Sequence, residues 1–558
     1  MADWMIKDDF SALAFSGRYE EALAICRANV PDIAADHAAS FIAGYCNFHM
    51  GRPDDAAQHF AAALELAGGD TFSMSYLVKS LNAAGFADEA LARGTEYIID
   101  WHGDGASDNF GEMVQAGIES LTASHNAALR SEFLTALRAR SANLPSDKEI
   151  LLATATLYVE GLDATRRQLG SQITENGRII AAPLLSVSAG VAAGLGRFLW
   201  QQEADTIRIA AFEGAPFATT SGVQATVAGY RAYVVELRDA FVSGESSAVF
   251  GPAGEILSDT YADTRFGEAV DLRADAILKR RHGDAALLCL PQPTQRIDQA
   301  INLAGLASNH FGHWFSEFLP RLRHIAKLPE CADLPILVNE DMPETHFDFL
   351  AQLCDNPLIR LARGEVVQVS RLIVAPTIGF YPFDLKPGHN VPIEEQAAWS
   401  GPAMRFVRDR VLSTLGNQTP AQKNAIYLTR SHSSWGRPFN EDDVLAHCPK
   451  AGLRPVRLET MDFVQQVKTI QSATTIVAPT GSALNMLIFA HPETKIIIFT
   501  QKYPHNWGGW VGPIREIGLN PCMIMSTTGD PNVKHASYDI DIDLLRDLVA
   551  PNDNGEQL

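Results

Sequence analysis

Three stretches of the chain bring together side chains able to move protons or hold anions. In Ser308-Asn309-His310-Phe311-Gly312-His313-Trp314-Phe315-Ser316-Glu317, His313 and Glu317 stand four residues apart at a predicted helix start, hence on one face. Either can serve as a general base. His310, His313 and Glu317 can also hold a metal, but no further ligand stands at a matching spacing, and none is expected. A histidine capping the helix explains the same letters without any chemistry.

The second stretch is Tyr427-Leu428-Thr429-Arg430, the end of a predicted strand, followed by Arg437-Pro438-Phe439-Asn440-Glu441 before a helix. Two guanidinium groups can close on a diphosphate, because each pairs bidentately with phosphate oxygens. Ion pairs with Asp442 or Asp443 are the plain alternative, and Asn440 reads as the helix N-cap. In the third, strand TTIVAP runs into Thr480-Gly481-Ser482-Ala483-Leu484-Asn485, a tight turn on Gly481 that opens a helix. Unsatisfied N–H groups and the positive dipole end there favour a phosphate, and Ser482 adds a hydroxyl. An ordinary β-α turn has the same letters. No G-x-G-x-x-G and no Walker A sequence is present, so dinucleotides and ATP have no fingerprint. Asp539-Ile540-Asp541-Ile542-Asp543 alternates acids as a metal-binding D-x-D does, yet a terminal strand and an Asp before helix LLRDLV explain it equally.

These residues need a scaffold, and the second half of the chain supplies one. Strands and helices alternate: LLCL, a helix from Trp314 to Ile325, ILV at 336–338, a helix near 344–353, and RLIVAP at 371–376. A second alternation follows, from helix PAMRFVRDRVLSTLG through NAIYLTR, RPVRLE, TTIVAP and KIIIFT. Two α/β units with mainly parallel sheets are expected, with ligands beyond the carboxyl ends of the strands.

The first hundred residues carry a repeat. Gly17-Arg18-Tyr19-Glu20-Glu21-Ala22 returns as Gly51-Arg52-Pro53-Asp54-Asp55-Ala56 and Gly85-Phe86-Ala87-Asp88-Glu89-Ala90, at a period of 34 residues. The period resembles that of a tetratricopeptide array, each unit a helix–turn–helix. The glycine ends one helix, two acids start the next, and the alanine allows close packing. Gly44, Phe60 and Ala63 complete the second unit, whereas Gly94 and Tyr97 replace Phe60 and Ala63 in the third. Such arrays offer a groove to a protein partner; a packing or dimerising scaffold is the alternative.

At 558 residues the chain is long enough for about three or four domains. Its net charge of −21 disfavours nucleic-acid or polybasic membrane binding. Residues 401–470 run against that trend with 10 Lys/Arg and 6 Asp/Glu, which suits an anionic ligand. Seven scattered cysteines, none in C-x-x-C, predict neither a disulfide framework nor a zinc knuckle. The start MADWMIKDDF has no basic segment followed by an apolar one, and no apolar run reaches about 18 residues. A cytoplasmic setting is expected.

Four segments in order, N-H-F-G-H-W-F-S-E-F-L-P-R-L (309–322), Y-L-T-R…R-P-F-N-E (427–441), M-D-F-V-Q-Q (461–466) and I-V-A-P-T-G-S-A-L-N (476–485), resemble the glycosyltransferase family 61 domain over roughly residues 240–525. The resemblance implies a GT-B fold of two Rossmann-like domains, an inverting mechanism and a nucleotide-sugar donor, which is a substrate, with no cofactor and no obligatory metal. It makes Arg430, Arg437, Thr480, Gly481, Ser482 and Asn485 donor-binding residues and sets His313 and Glu317 on the acceptor side as the catalytic pair. Asn309 and His310 are possible acceptor-side residues, and Trp507, in Tyr503–Trp507, belongs to a loop that covers the sugar or base. Asn440, Glu441 and Gln466 match as well. Thr480 stands where the family has His; it can donate to a phosphate but cannot carry a proton.

The expected organisation is therefore multidomain: all-α tetratricopeptide-like repeats and cap (1–170), a β-rich connector (171–260), an acceptor-side Rossmann-like domain (261–400), a nucleotide-sugar-binding Rossmann-like domain (401–540) and a tail (541–558). The expected activity is transfer of a sugar to a protein or glycan acceptor, with the array recruiting the acceptor or a partner. A repeat-bearing adaptor with a degenerate, non-catalytic transferase domain is the alternative.

Overall fold

The computed structural model describes residues 9–67, 69–101, 108–140, 149–170, 173–174, 177–203, 206–210, 217–218, 223–228, 232–257, 272, 274–379, 399–416, 424–430, 439–501, 508–529 and 537–549. The chain divides into two compact units: Met1–Pro183 with Lys279–Leu290, and Leu184–Leu278 with Pro291–Leu558. No helix among the described residues is long and apolar enough to cross a membrane.

The first unit is built of helical hairpins. Helices Asp9–Phe15 and Tyr19–Asn29, His37–His49 and Pro53–Leu66, and Thr71–Ala83 and Ala87–Asp100 form the three pairs announced by the glycine repeat. Gly17, Gly51 and Gly85 all lie in the left-handed region, at φ of 86°, 73° and 88°. Each ends its helix with the same two bonds. At Gly51, its own amide reaches the Phe48 carbonyl at 3.1 Å and the Arg52 amide reaches the Asn47 carbonyl at 2.9 Å. That double bond pattern satisfies carbonyls the helix end would leave bare, and it needs a residue without a Cβ penalty. Ala22, Ala56 and Ala90 are wholly buried. Gly44 lies so near Phe60 that a Cβ there would stand 2.9 Å from the ring.

Four further helices, Asp108–Ala123, Ala127–Arg140, Glu149–Glu160 and Leu162–Leu169, continue the array without the glycine motif. A strand then pairs antiparallel with Ala285–Leu290, from Pro183↔Ala285 to Arg178↔Leu290. Ile179, Ala181, Ala285 and Leu287 join the apolar cluster of Phe110, Phe133 and Leu134. The segment LLCL thus lies in the first unit, about a hundred residues along the chain from its partner strand.

In the second unit, ten strands position the site: β1 (Ala232–Ser243), β2 (Gln295–Asn302), β3 (Ile336–Asn339), β4 (Leu358–Leu361), β5 (Val366–Val374), β6 (Ala425–Leu428), β7 (Leu453–Val456), β8 (Thr475–Pro479), β9 (Lys495–Thr500) and β10 (Pro521–Met525). One sheet runs β1-β5-β2-β3-β4, the other β7-β6-β8-β9-β10. All these pairings are parallel except β1 with β5, which match antiparallel from Ser243↔Val366 to Val235↔Val374. β1 comes from the stretch expected to be a connector.

Strand order reverses once in each sheet, between β5 and β2 and between β6 and β8. At such a point successive connections leave in opposite directions and open a crevice at the carboxyl ends. The two sheets share one apolar core in which Phe349 stacks on Phe463 at 4.1 Å, beside Phe489. The C-terminal part of the chain is thus an α/β structure following an all-helical array.

Candidate active site

The histidine-bearing stretch follows β2 and is fixed along its whole length. Asn339, at the end of β3 and wholly buried, takes the Gly305 amide on Oδ1 at 3.3 Å and donates to the Gly305 carbonyl at 2.8 Å. His346 Nδ1 donates to the Ser308 carbonyl at 3.2 Å, and Asn309 Nδ2 donates to Asp341 at 2.6 Å. Between these anchors Ala307 is held at φ 64°, a left-handed backbone that costs a non-glycine residue about 1–2 kcal/mol.

The helix expected from Trp314 to Ile325 is broken into turns of different pitch. Phe311–His313 is α, Trp314–Phe318 is π, Leu319–Arg321 is 3-10 and Leu322–Ile325 is α again. Pro320 lacks the amide that a continuous helix needs. In the wide turn His313 Nδ1 lies 2.9 Å from Glu317 Oε1, both side chains buried. A carboxylate only accepts, so His313 Nδ1 carries a proton and donates it to Glu317. The expected i, i+4 pair is present. Arg321, one turn on, donates to the Glu317 carbonyl at 2.9 Å and to Thr377 Oγ1, just past β5, at 3.2 Å. Burial lowers its pKa to about 10, partly offset by the nearby Glu317 charge, so it remains a cation at neutral pH.

His310 takes the N-cap position of the short helix without a side-chain cap bond. Its ring meets that of His313 edge to face, centroids 5.3 Å apart. Burial, reinforced by His313 and His346, lowers its pKa to about 4. His346 is likewise lowered to about 4, chiefly by burial, so both it and His310 are neutral at physiological pH.

Arg430 stands two residues beyond β6 and Thr480 one beyond β8, on either side of the reversal in the second sheet. Glu441 Oε1 accepts the Arg430 amide at 2.6 Å and the buried Tyr427 hydroxyl at 3.1 Å. The guanidinium turns back to donate from Nη1 to the Thr480 carbonyl at 2.6 Å. It thereby lies over Gly481, where a Cβ would meet Cζ and Nη1 at 3.5 Å.

One expectation needs correction here, the capping by Asn440. Gly481 has φ 171°, extended backbone that any residue adopts. The helix it opens, Ser482–Phe489, is 3-10, with its first internal bond from the Leu484 amide to the Gly481 carbonyl at 3.1 Å. The amides of Gly481, Ser482 and Ala483 precede that bond, Ser482 is exposed and Asn485 is buried. Asn440 sits at its helix start without capping it; its amide instead binds the Ile540 amide and carbonyl at 2.7 and 3.1 Å.

Thr480 is wholly buried, and its Oγ1 meets no hydrogen-bonding partner among the described residues. Gln466 donates to the Leu458 and Met461 carbonyls, a local packing role. Asp541 caps the last helix through the Leu544 amide and Asp543 pairs with Arg546. Arg437 and Tyr503–Trp507 lie outside the described residues.

The two chemistry-bearing regions meet at Gly312. A Cβ on it would lie 3.2 Å from His310 Cε1 and Nδ1 and 3.6 Å from Ser482 Cβ. The loop beyond β2 and the turn beyond β8 therefore touch, which brings His310, His313, Glu317, Gly481, Ser482 and, through Gly481, Arg430 into one neighbourhood. Gly312 had no role in the sequence reading; its signal is a glycine between two histidines at a helix start. Glu441 was noted there only as matching the resembling family. The arrangement places cationic and amide donors beside the neutral imidazole of His310, which suits an anionic leaving group opposite a proton acceptor.

No curated protein matches the chain. Residues 311–497, which carry His313, Glu317, Arg430 and the Thr480–Asn485 turn, match the family described as Glycosyltransferase 61, and this match supports a glycosyltransferase of general kind in the second unit.

Proposed function

We propose that the chain is an inverting glycosyltransferase that moves a sugar from a nucleotide-sugar donor to a protein or glycan acceptor without a metal. The contact of the His310–Glu317 segment with the Gly481–Ser482 turn carries this reading. Arg430, the amides at 481–483 and the Ser482 hydroxyl receive the diphosphate, with Arg437 as a second cation. A base in the His310–Glu317 segment takes the proton of the acceptor hydroxyl. That oxygen attacks the anomeric carbon from the face opposite the departing diphosphate. Two α/β sheets with their carboxyl-end segments in contact are what a GT-B fold of two Rossmann-like domains would supply, and the helical hairpins fit a tetratricopeptide-like array that recruits the acceptor in a cytoplasmic setting.

The test is thermal shift of the full chain with uridine, guanosine and adenosine diphosphates, followed by hydrolysis of a nucleotide-sugar panel. A diphosphate at a hundred times its Kd adds about 2.7 kcal/mol of stability. Stabilisation by one of them and turnover of the matching sugar, persisting in chelator, is the expected result. Absence of both binding and turnover would remove the transferase reading.

A second reading, a non-catalytic repeat-bearing adaptor, draws on Thr480. Its buried side chain presents no group to a ligand where the resembling family has a histidine. Diphosphate binding without turnover of any sugar nucleotide would favour it.

A further inference from the structure

We propose that His310 is the group that takes the proton from the acceptor hydroxyl, with His313 and Glu317 behind it as a positioning pair. The inference rests on the transferase reading and assigns one step within it. Of the three clustered imidazoles, His313 and His346 are buried, and His310 alone keeps a share of its surface open. It is also the one that adjoins the meeting point of the two regions, since its ring and Ser482 face the same bare Cα of Gly312.

The surrounding structure spends a good deal on placing this ring. Asn339 grips Gly305, His346 holds the Ser308 carbonyl, Asp341 holds Asn309, and Ala307 keeps a left-handed backbone just before. A loop fixed at three points around a strained residue is costly unless its geometry matters. Among the described residues the groups facing His310 include His313 and His346, with Glu317 beyond His313 and Asp341 beyond Asn309. Burial, reinforced by those two imidazoles, keeps His310 neutral. Once it is protonated, the Glu317 carboxylate behind His313 offsets the new charge.

The step balances simply. The hydroxyl proton passes to a ring nitrogen of His310 as the oxygen bonds to the anomeric carbon. The bond from that carbon to the diphosphate oxygen breaks, and its electron pair leaves on the diphosphate. The imidazolium gives its proton to water after release.

The experiment uses the full chain and the nucleotide sugar identified in the hydrolysis panel, with water as the acceptor. His310→Ala should lower kcat by about 10²–10⁴-fold while leaving nucleoside-diphosphate affinity unchanged, and added imidazole should restore part of the rate. Glu317→Gln should lower kcat less than His310→Ala. Gly312→Ala, which crowds the His310 ring without removing it, should lower kcat in a protein with wild-type diphosphate affinity. Wild-type kcat in His310→Ala would overturn the proposal, as would a loss that imidazole cannot rescue. A wild-type chain that neither binds nor turns over any nucleotide would instead defeat the transferase reading itself.

Discussion

Arg430 and Gly481 meet with nothing between them: the guanidinium donates to the Thr480 carbonyl at 2.6 Å and covers the Gly481 Cα, where a Cβ would be 3.5 Å from Cζ. This contact joins the carboxyl ends of β6 and β8 across the strand-order reversal and sets a cation beside the first amides of a helix. Arg430→Ala should weaken nucleoside-diphosphate binding by about 1.5–3 kcal/mol, the scale of a lost charged hydrogen bond. Gly481→Ala should leave Tm near wild type, because φ 171° and a 3.5 Å contact both tolerate a methyl group. Calorimetric titration and a thermal melt of each variant check the pair. Undiminished binding in Arg430→Ala would remove this residue from the donor site.

Glu441 governs how Arg430 is presented. Its Oε1 accepts both the Arg430 amide and the Tyr427 hydroxyl, and Tyr427 is wholly buried. Glu441→Ala strands a buried hydroxyl and an amide, which costs about 1–3 kcal/mol. The expected outcome is a lower urea midpoint with weaker diphosphate binding, and Glu441→Gln, whose amide oxygen still accepts, should lose less of both. Equal stability of Glu441→Ala and wild type would show that the two bonds contribute nothing.

How much of this was legible in the sequence depends on how local each cause is. Gly17, Gly51 and Gly85 announce themselves because a left-handed helix end leaves almost no other residue to choose. The i, i+4 spacing of His313 and Glu317 correctly put them in contact, even though the turn between them is π rather than α. Gly481 opens a helix as expected, but nothing local marks that the Arg430 guanidinium, from 51 residues earlier, lies over it. Asn440 has cap chemistry, but the backbone of Ile540, a hundred residues downstream, competes for its amide. The pairings of β1 with β5 and of 178–183 with 285–290 leave no local mark, since a strand's letters do not say which neighbour it will find.

The buried imidazoles give the second unit a pH dependence of definite sign. His310 and His346 are held near a pKa of about 4, below the unfolded value near 6.5. Between those values the unfolded chain binds protons that the folded one refuses, so stability is complete above about pH 6.5 and falls as pH drops toward about 4. Urea unfolding at several pH values across that window should show it, followed by domain-resolved fluorescence or hydrogen exchange. His346→Gln should flatten the slope, whereas a slope identical to wild type would mean that His346 is not held neutral in the fold.

The last expectation concerns where the chain can be cut. The helical repeats and cap were expected to span residues 1–170, yet their compact unit also contains Lys279–Leu290. Residues 285–290 pair along their length with 178–183, and Ala285 and Leu287 are buried in the cluster of Phe110, Phe133 and Leu134. A shortened chain beginning at Leu184 would keep the strand AALLCL beside Leu278–His282 but open the edge that paired with 178–183, together with its apolar side chains. Such an unpaired apolar edge promotes association between molecules. The shortened chain should therefore elute as large species in size-exclusion chromatography, and a chain beginning at residue 1 should not. Removing the array is thus a poor test of whether it recruits an acceptor. A sharper one alters the array in place: Gly51→Val forces a β-branched residue into φ 73° and should loosen the second hairpin while leaving the 178–183 pairing intact. If the hairpins recruit an acceptor, that variant should retain sugar-nucleotide hydrolysis and lose modification of the natural acceptor. Monodisperse behaviour of the 184–558 chain with undiminished diphosphate binding would show instead that AALLCL does not need its pairing with 178–183.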